Sequence, residues 1–570
     1  MRFHLRFIFI LSVLLFCFGS LAYRILDLAY FSQGYYKVFI NAARTAKEVK
    51  GAIRGQIRDR KDAVLATTAI KIDVGVDPYV IDPSKNQEKI AQLAALLGNT
   101  TEDMAAEFFK RETFVHAGKE RRLRWRKMAT IDNNDLYEKI KTLGIKGVYG
   151  NRRIERIYPN HELASHVIGF INKEGVAVCG VERFMDDFLR GQDGWIESEK
   201  DGKRTEVALF RKIVIEPKNG SNIVLTIDLR IQEIAEQTLQ QAMDELKAKW
   251  GSIIISDPNT GQILALCNAP TFDCNAFNKV PIENLRNRAI TDLYEPGSTF
   301  KIVPISIALQ HKLISSSQYF DCTQETFHYQ NKKYNLPKDH ALLGRLTTVD
   351  VLRKSSNRGA AQIGIILGAK NLYEGVRNFG FGEKTGYGFD GEASGLLSKP
   401  KYWDHLTITR LPIGHAISAT PLQVHQAMGV IASGGYLLEP KIILRILDDK
   451  EEVIIEPEPH VIRKVLRRDI ANNLREILHN PDSSSSVLNR VKLAYKTGTT
   501  QKLIDGTYSR EHHIASCSGF FPAEDPQFLV TVVLDDPVPE HGGIAYGSRV
   551  AYPLFATIAK ALISSYGLSQ

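Results

Sequence analysis

The stretch Tyr294-Glu295-Pro296-Gly297-Ser298-Thr299-Phe300-Lys301 decides how this chain is read. In it a serine precedes a lysine by three residues, and on a helix that spacing stacks hydroxyl and amine on one face. A serine hydroxyl is a poor nucleophile at neutral pH. It needs a base within hydrogen-bond reach, and a lysine serves when burial or nearby positive charge lowers its pKa. Ser298 is therefore read as nucleophile and Lys301 as its base. The same spacing is common on solvated helix surfaces, so the pair alone does not establish chemistry. Pro304 falls beyond the first turn of a helix opening near Ser298 and removes a backbone hydrogen bond, which predicts a kink.

Two later motifs change the weight of that pair. Ser355-Ser356-Asn357 and Lys496-Thr497-Gly498-Thr499 follow in order, and the three together form a recurrent signature of serine acyl transfer. Each part has a chemical task. Ser355 can relay a proton between nucleophile and leaving group, and Asn357 offers an amide donor and a carbonyl to a peptide-like substrate. Lys496 adds positive charge. Val491 to Tyr495 alternate in polarity as an edge strand does, and a strand running into Lys496 lets an extended substrate add its backbone alongside. Gly498 permits close approach, the backbone N–H groups of Ser298 and Thr499 can form an oxyanion hole, and the hydroxyls of Thr497 and Thr499 can bind a terminal carboxylate. One oxyanion-hole donor is worth roughly 3 to 4 kcal/mol in the barrier. Taken singly, the second motif reads as a helix cap or turn and the third as a strand end.

Tyr294 to Lys301 resemble the active-site segment of monofunctional class B penicillin-binding proteins. The likeness extends to Asp257-Pro258-Asn259-Thr260-Gly261 with Ile263-Leu264-Ala265, to Pro270-Thr271-Phe272-Asp273 with Asn275, to Ser418-Ala419-Thr420-Pro421-Leu422-Gln423, and to Ser516-Cys517-Ser518-Gly519-Phe520-Phe521-Pro522 before the alternating strand Phe528 to Leu534. Ahead of these, Arg54-Gly55-Gln56-Ile57-Arg58-Asp59-Arg60, Gly180-Val181-Glu182 and Leu189-Arg190-Gly191 resemble the motifs of that family's pedestal. Two departures stand out. Lys61-Asp62 replaces the family's usual Asn-Gly, so that turn is expected to differ, and Asp482 with Ser483 to Ser486 reads as a flexible loop before the lysine motif.

At 570 residues the chain exceeds what one core holds, and 44% hydrophobic with 24% charged residues is ordinary globular usage. A formal net charge of +9 is compatible with anionic partners, but no helix-turn-helix, zinc-finger or stacking motif points to nucleic acid. Phe7 to Tyr23 carry no charge and are flanked by Arg2, Arg6 and Arg24, which predicts a cytoplasmic amino terminus and an exported remainder. A transmembrane anchor extended by Ile25-Leu26 and a signal peptide cleaved near Ser20-Leu21-Ala22 both fit these residues. Resemblance to signal-anchored relatives favours the anchor. Six cysteines are present, with Cys17 in the apolar segment; Cys267 and Cys274 are near enough in sequence to pair, which spacing cannot decide. No metal is expected, since neither the cysteines nor His512-His513 match a ligand template. Those histidines read as an exposed loop, with contact to a substrate groove as the alternative.

The expected architecture is a multidomain α/β (α+β) protein: residues 1–30 as cytoplasmic tip and anchor, 31–225 as a mixed α/β pedestal with strands such as Ile70 to Ile81, and 226–570 as an antiparallel sheet flanked by helices. Asp228 should cap a helix whose stripe runs Ile231, Ile234, Ala235, Leu239, Ala242, Met243 and Leu246. Ser252 to Ser256 begin the sheet, and a helix from Val550 to Ile563 ends the domain. With no second catalytic region ahead of the pedestal, the chain reads as monofunctional.

The resemblance implies a serine D,D-transpeptidase in the cytoplasmic membrane. It would join peptidoglycan stem peptides through an acyl-enzyme on Ser298, without cofactor, and be acylated by β-lactams. Partners so implied are a polytopic glycosyltransferase and other division proteins, and Tyr294 to Gly297 look more like division than elongation enzymes. The alternatives are an elongation-type transpeptidase, a β-lactamase or D-alanyl-D-alanine carboxypeptidase, and a non-catalytic β-lactam sensor. No glutamate and water pair for deacylation is evident, so a β-lactam is expected to remain on Ser298.

Overall fold

The computed structural model describes the chain except for residues 1, 38–44, 82–85, 101, 104–105, 107–109, 117, 201–205, 208–212, 480–490, 540–541 and 569–570. The serine-rich segment 482–486 lies outside the described residues. These residues form two compact units, 1–54 with 190–220 and 55–189 with 221–570. In the first, a helix spans Arg2–Leu26 and continues as a π turn over Asp27–Phe31. Phe3–Phe31 is long and apolar enough to cross a membrane, and its apolar stretch is not buried against protein. Thr45–Lys50 pairs antiparallel with Gly194–Lys200 in the same unit.

The second unit contains a seven-stranded sheet in which Ile57–Arg58 runs parallel to Asn222–Leu225 and antiparallel to Val64–Val76. The strand expected over Ile70 to Ile81 is thus the latter half of a longer one that begins at Val64 and stops at Val76. Polar side chains tie the family-like segments together. Glu182 and Arg156 form a buried ion pair at 2.7 Å, and the same guanidinium donates to Gly55 O at 2.7 Å. A buried charge is tolerated only when so paired. Asn275 clamps the main chain of Tyr158 through both ends of its amide. The turn at Lys61-Asp62 keeps a left-handed residue: Asp62 has φ +63°, braced by the Asp59 carboxylate accepting from the N–H groups of Lys61 and Ala63 at 2.8 Å. Aspartate enters that region more readily than most residues, and the Asp62 carboxylate accepts from Arg445 Nη2 at 3.0 Å.

Helix α1 (Leu229–Leu246) starts at Asp228, whose carboxylate accepts from Arg230 N, and buries Ile231, Ala235, Leu239 and Ala242. Ile234, Met243 and Leu246 pack at the edge of the same core. Strands β1 (Trp250–Ser256) and β2 (Ile263–Ala269) form a fully buried hairpin. A 3-10 turn over Gly297–Lys301 leads into α2 (Ile302–Gln310), followed by α3 (Asn357–Asn378) and α4 (Pro421–Ala432). Helix α4 opens with a capping box in which Thr420 and Gln423 satisfy each other's backbone N–H. Strands β3 (Ala494–Ile504), β4 (Thr507–Phe521) and β5 (Phe528–Asp535) complete a five-stranded sheet in the order β2-β1-β5-β4-β3, and α5 (Tyr552–Tyr566) packs on it. All pairings are antiparallel.

Several expectations change in detail. Pro304 produces no break, because the α-helical part begins only at Ile302; the proline lies in its first turn, where no intrahelical N–H is required. The edge strand opens at Ala494, after the buried Val491 and Leu493. His512 and His513 lie within β4, not in a loop. All six cysteines are free, with Cys267 and Cys274 in different hydrophobic clusters.

Candidate active site

Ser298 occupies the 3-10 turn before α2, and its neighbour Gly297 has φ +56°, a left-handed conformation that glycine adopts without strain. A Cβ there would also collide with Thr500 Oγ1 on β3. Gly498 provides the complementary approach: a Cβ on it would sit 2.7 Å from Ser516 Oγ, 3.0 Å from Pro296 O and 3.1 Å from Thr299 Cγ2. Two glycines therefore let the edge strand and the serine-bearing turn nearly touch. Ser298 half-emerges into an open cleft of about 670 Å³, whose walls include Gly297, Asn357, Thr499 and Gln501.

Lys301, three residues on, is wholly buried, and its amine is held by the second motif. Its Nζ lies 2.5 Å from Ser355 O, 2.7 Å from Asn357 Oδ1 and 3.2 Å from Ser355 Oγ. Lys496 reaches the same hydroxyl from β3, with Nζ 3.0 Å from Ser355 Oγ and 3.0 Å from Thr497 O. One serine hydroxyl thus bridges two lysine amines. Burial, and then the charge of Lys496, push the Lys301 amine well below its ordinary value, opposed by Asp339. Burial also lowers Lys496, to about 8. Two ammonium ions on one hydroxyl repel strongly in a low dielectric. The favourable arrangement is a neutral Lys301 beside a charged Lys496. A neutral amine has two N–H donors and one lone pair, so donation to Ser355 O and Asn357 Oδ1 leaves the lone pair for an incoming proton.

Ser355 is held with φ +57°, a conformation unusual for a residue other than glycine, at the entrance to α3. Its geometry is braced by Asp339, a residue without any motif of its own. The Asp339 carboxylate accepts from Ser356 Oγ at 2.8 Å, from Arg358 N at 3.1 Å and from Asn357 N. Ser356 in turn caps the helix by accepting from Gly359 N at 3.0 Å. The only sequence signal for Asp339 is the break between the short strand Lys332–Asn335 and the next element. Asn357 spends both ends of its amide inside the protein, since Nδ2 donates to Lys338 O at 2.8 Å. Its expected contact with substrate would require it to leave that carbonyl.

Thr499 lines the cleft, and its hydroxyl accepts from Gly547 N at 2.9 Å, leaving its proton for an anion. Thr497 is half-buried two residues away on the same face of β3 and does not line the cleft. His513 is buried and does line it, as does Tyr508. Among the described residues no group of histidine, cysteine and acidic side chains is arranged to hold a metal.

The chain matches the model of the penicillin binding protein transpeptidase domain over residues 251–560 and that of the penicillin-binding protein dimerisation domain over 49–225. It is 30% identical over 532 residues to the stage V sporulation protein D of Bacillus subtilis, covering 90% of this chain and 78% of that one. It is equally 30% identical over 512 residues to the peptidoglycan D,D-transpeptidase FtsI of Buchnera aphidicola, covering 90% and 86%. The crystal structure of penicillin binding protein 3 from Mycobacterium tuberculosis complexed with aztreonam superposes with a TM-score of 0.68 at 25% identity, over 92% of this chain and 98% of that one. With two matched domains in series and relatives aligned along nearly its whole length, the chain belongs to the class B penicillin-binding proteins.

Proposed function

We propose that this chain is a serine D,D-transpeptidase that cross-links peptidoglycan stem peptides through an acyl-enzyme on Ser298. The observation that carries this reading is the buried Lys301 amine, held between Ser355 and Asn357 and kept short of a proton by burial and by Lys496. In acylation, Ser298 Oγ attacks the carbonyl of the penultimate D-alanine and its proton passes to Lys301 Nζ. The backbone N–H groups of Ser298 and Thr499 stabilise the oxyanion, while the Thr499 hydroxyl, which lines the cleft with its proton free, and the Lys496 charge hold the terminal carboxylate. As the C–N bond breaks, a proton returns through Ser355 to the departing D-alanine amine. An amine of a second stem peptide then attacks the ester carbonyl, the C–O bond to Ser298 breaks as the C–N bond forms, and the proton that the amine loses passes through Lys301 to Ser298 Oγ.

The relatives' names support the peptidoglycan substrate, and the FtsI likeness supports a septal role in division. We assign residues 1–30 to a cytoplasmic tip and membrane anchor, 31–225 to a pedestal and 226–570 to the transpeptidase domain. The amino terminus lies in the cytoplasm and the catalytic domain outside the membrane, where a polytopic glycosyltransferase and other division proteins are the natural partners. The arginines at 2 and 6 support this orientation.

Labelling with fluorescent penicillin followed by peptide mapping tests the assignment. The label is expected on the peptide containing Ser298, to persist on the protein mass, and to vanish in Ser298→Ala. Rapid return to the free mass, or steady turnover of nitrocefin, would count for a hydrolase instead.

A further inference from the structure

The cleft continues beyond the reacting atoms toward the tip of the β3–β4 hairpin. Along β3 the order Thr497, Thr499, Gln501 leads away from Lys496, and Leu503 pairs across the hairpin with Tyr508. With the terminal carboxylate at Thr499, an extended donor laid along this edge sends its earlier residues toward Gln501 and Tyr508. Four strand residues span about 13 Å at about 3.3 Å each, within reach of one peptide residue and a long side chain. The wall met there is formed by Arg410, Ile413, His415 and Tyr508.

Arg410 is singular on that wall. Among the described residues its guanidinium makes no ion pair and no side-chain hydrogen bond, although it lines the cleft beside Tyr508. The two nearby carboxylates are engaged elsewhere. Glu295 accepts from Tyr508 OH at 3.1 Å, from Ala416 N at 3.0 Å, and lies 2.8 Å from His415 Nδ1. Asp404 accepts from Thr407 N at 2.7 Å, Leu406 N at 3.0 Å and Thr407 Oγ1 at 2.6 Å, capping its own turn. Arg410 O accepts from His415 N at 3.2 Å, so the arginine and the histidine belong to one braced turn. A planar fork of donors, left unpaired over a cleft on a fixed backbone, matches a carboxylate.

We infer that Arg410 selects donor stem peptides whose residue before the D-alanyl-D-alanine pair carries a side-chain carboxylate, an inference that rests on the transpeptidase reading above. The class of substrate is a peptide with a diamino dicarboxylic acid at that place, preferred over one with lysine, from which it differs by a single carboxylate.

The test compares two synthetic peptides ending in D-alanyl-D-alanine, one with each residue, by D-alanine release from the full-length protein in detergent. The dicarboxylic peptide is expected to have about tenfold higher kcat/KM, the scale of one charged hydrogen bond, expressed mainly in KM. Arg410→Ala and Arg410→Gln should remove the preference and Arg410→Lys should keep part of it. Benzylpenicillin labelling of each variant reports whether Ser298 remains competent. A labelled wild-type protein without the preference, or a labelled variant that keeps it whole, overturns the Arg410 assignment alone. A wild-type protein that penicillin fails to label at Ser298 overturns the transpeptidase reading and this inference with it.

Discussion

At the scale of single residues, the proposed chemistry turns on the proton of Lys301. Spacing already paired it with Ser298, but spacing holds no information on solvation, and the low pKa comes from burial and from Lys496, 195 residues later in the chain. Acylation requires the free amine, so its rate constant should fall as pH drops through the folded-state value, which lies well under the ordinary 10.5. Lys301→Met should slow penicillin acylation by about 10²- to 10⁴-fold, the usual range for general-base catalysis; stopped-flow rates equal to wild type would remove Lys301 from the mechanism. The same shift affects stability. The unfolded amine takes its proton near 10.5, so between the two values the unfolded chain binds more protons, and this group's contribution to stability rises with pH across that window.

At the scale of elements, helix α3 and edge strand β3 present their motifs only because other segments hold them. The Asp228 cap was legible in the sequence, since a cap and its helix are neighbours along the chain. Asp339 was not, because it caps α3 from 17 residues away, out of a loop with no periodicity of its own. Its negative charge also raises Lys301. Asp339→Asn should therefore move the acidic limb of the acylation profile to lower pH, while weakening the start of α3 by about 1 to 3 kcal/mol. Acylation measured from pH 5 to 10, with thermal melts, separates the two effects. A melting temperature that falls while the limb stays in place would leave Asp339 a structural cap only. The placement of His513 in a strand was missed for a related reason: its run of polar neighbours carries no alternation, and β4 is defined by pairing with β3 and β5.

At the scale of the whole molecule, the amino-terminal helix is the part whose fate depends on its surroundings, since none of the described residues buries it. Deleting residues 1–31 should transfer the protein from the detergent-extracted membrane fraction to the soluble fraction while keeping the penicillin label on Ser298. Retention of the truncated protein in the membrane would locate the anchor elsewhere. The linear chain by itself marked out Ser298 and Lys301, the two companion motifs, the apolar amino-terminal segment and the family, because each rests on short-range spacing or on composition. Tertiary structure alone decided that one hydroxyl, Ser355, bridges two amines, that Asp339 braces the helix beneath it, and that Arg410 stands unpaired over the cleft. Those facts depend on contacts between segments 17 to 141 residues apart along the chain and on the exclusion of water, which only a closed fold sets.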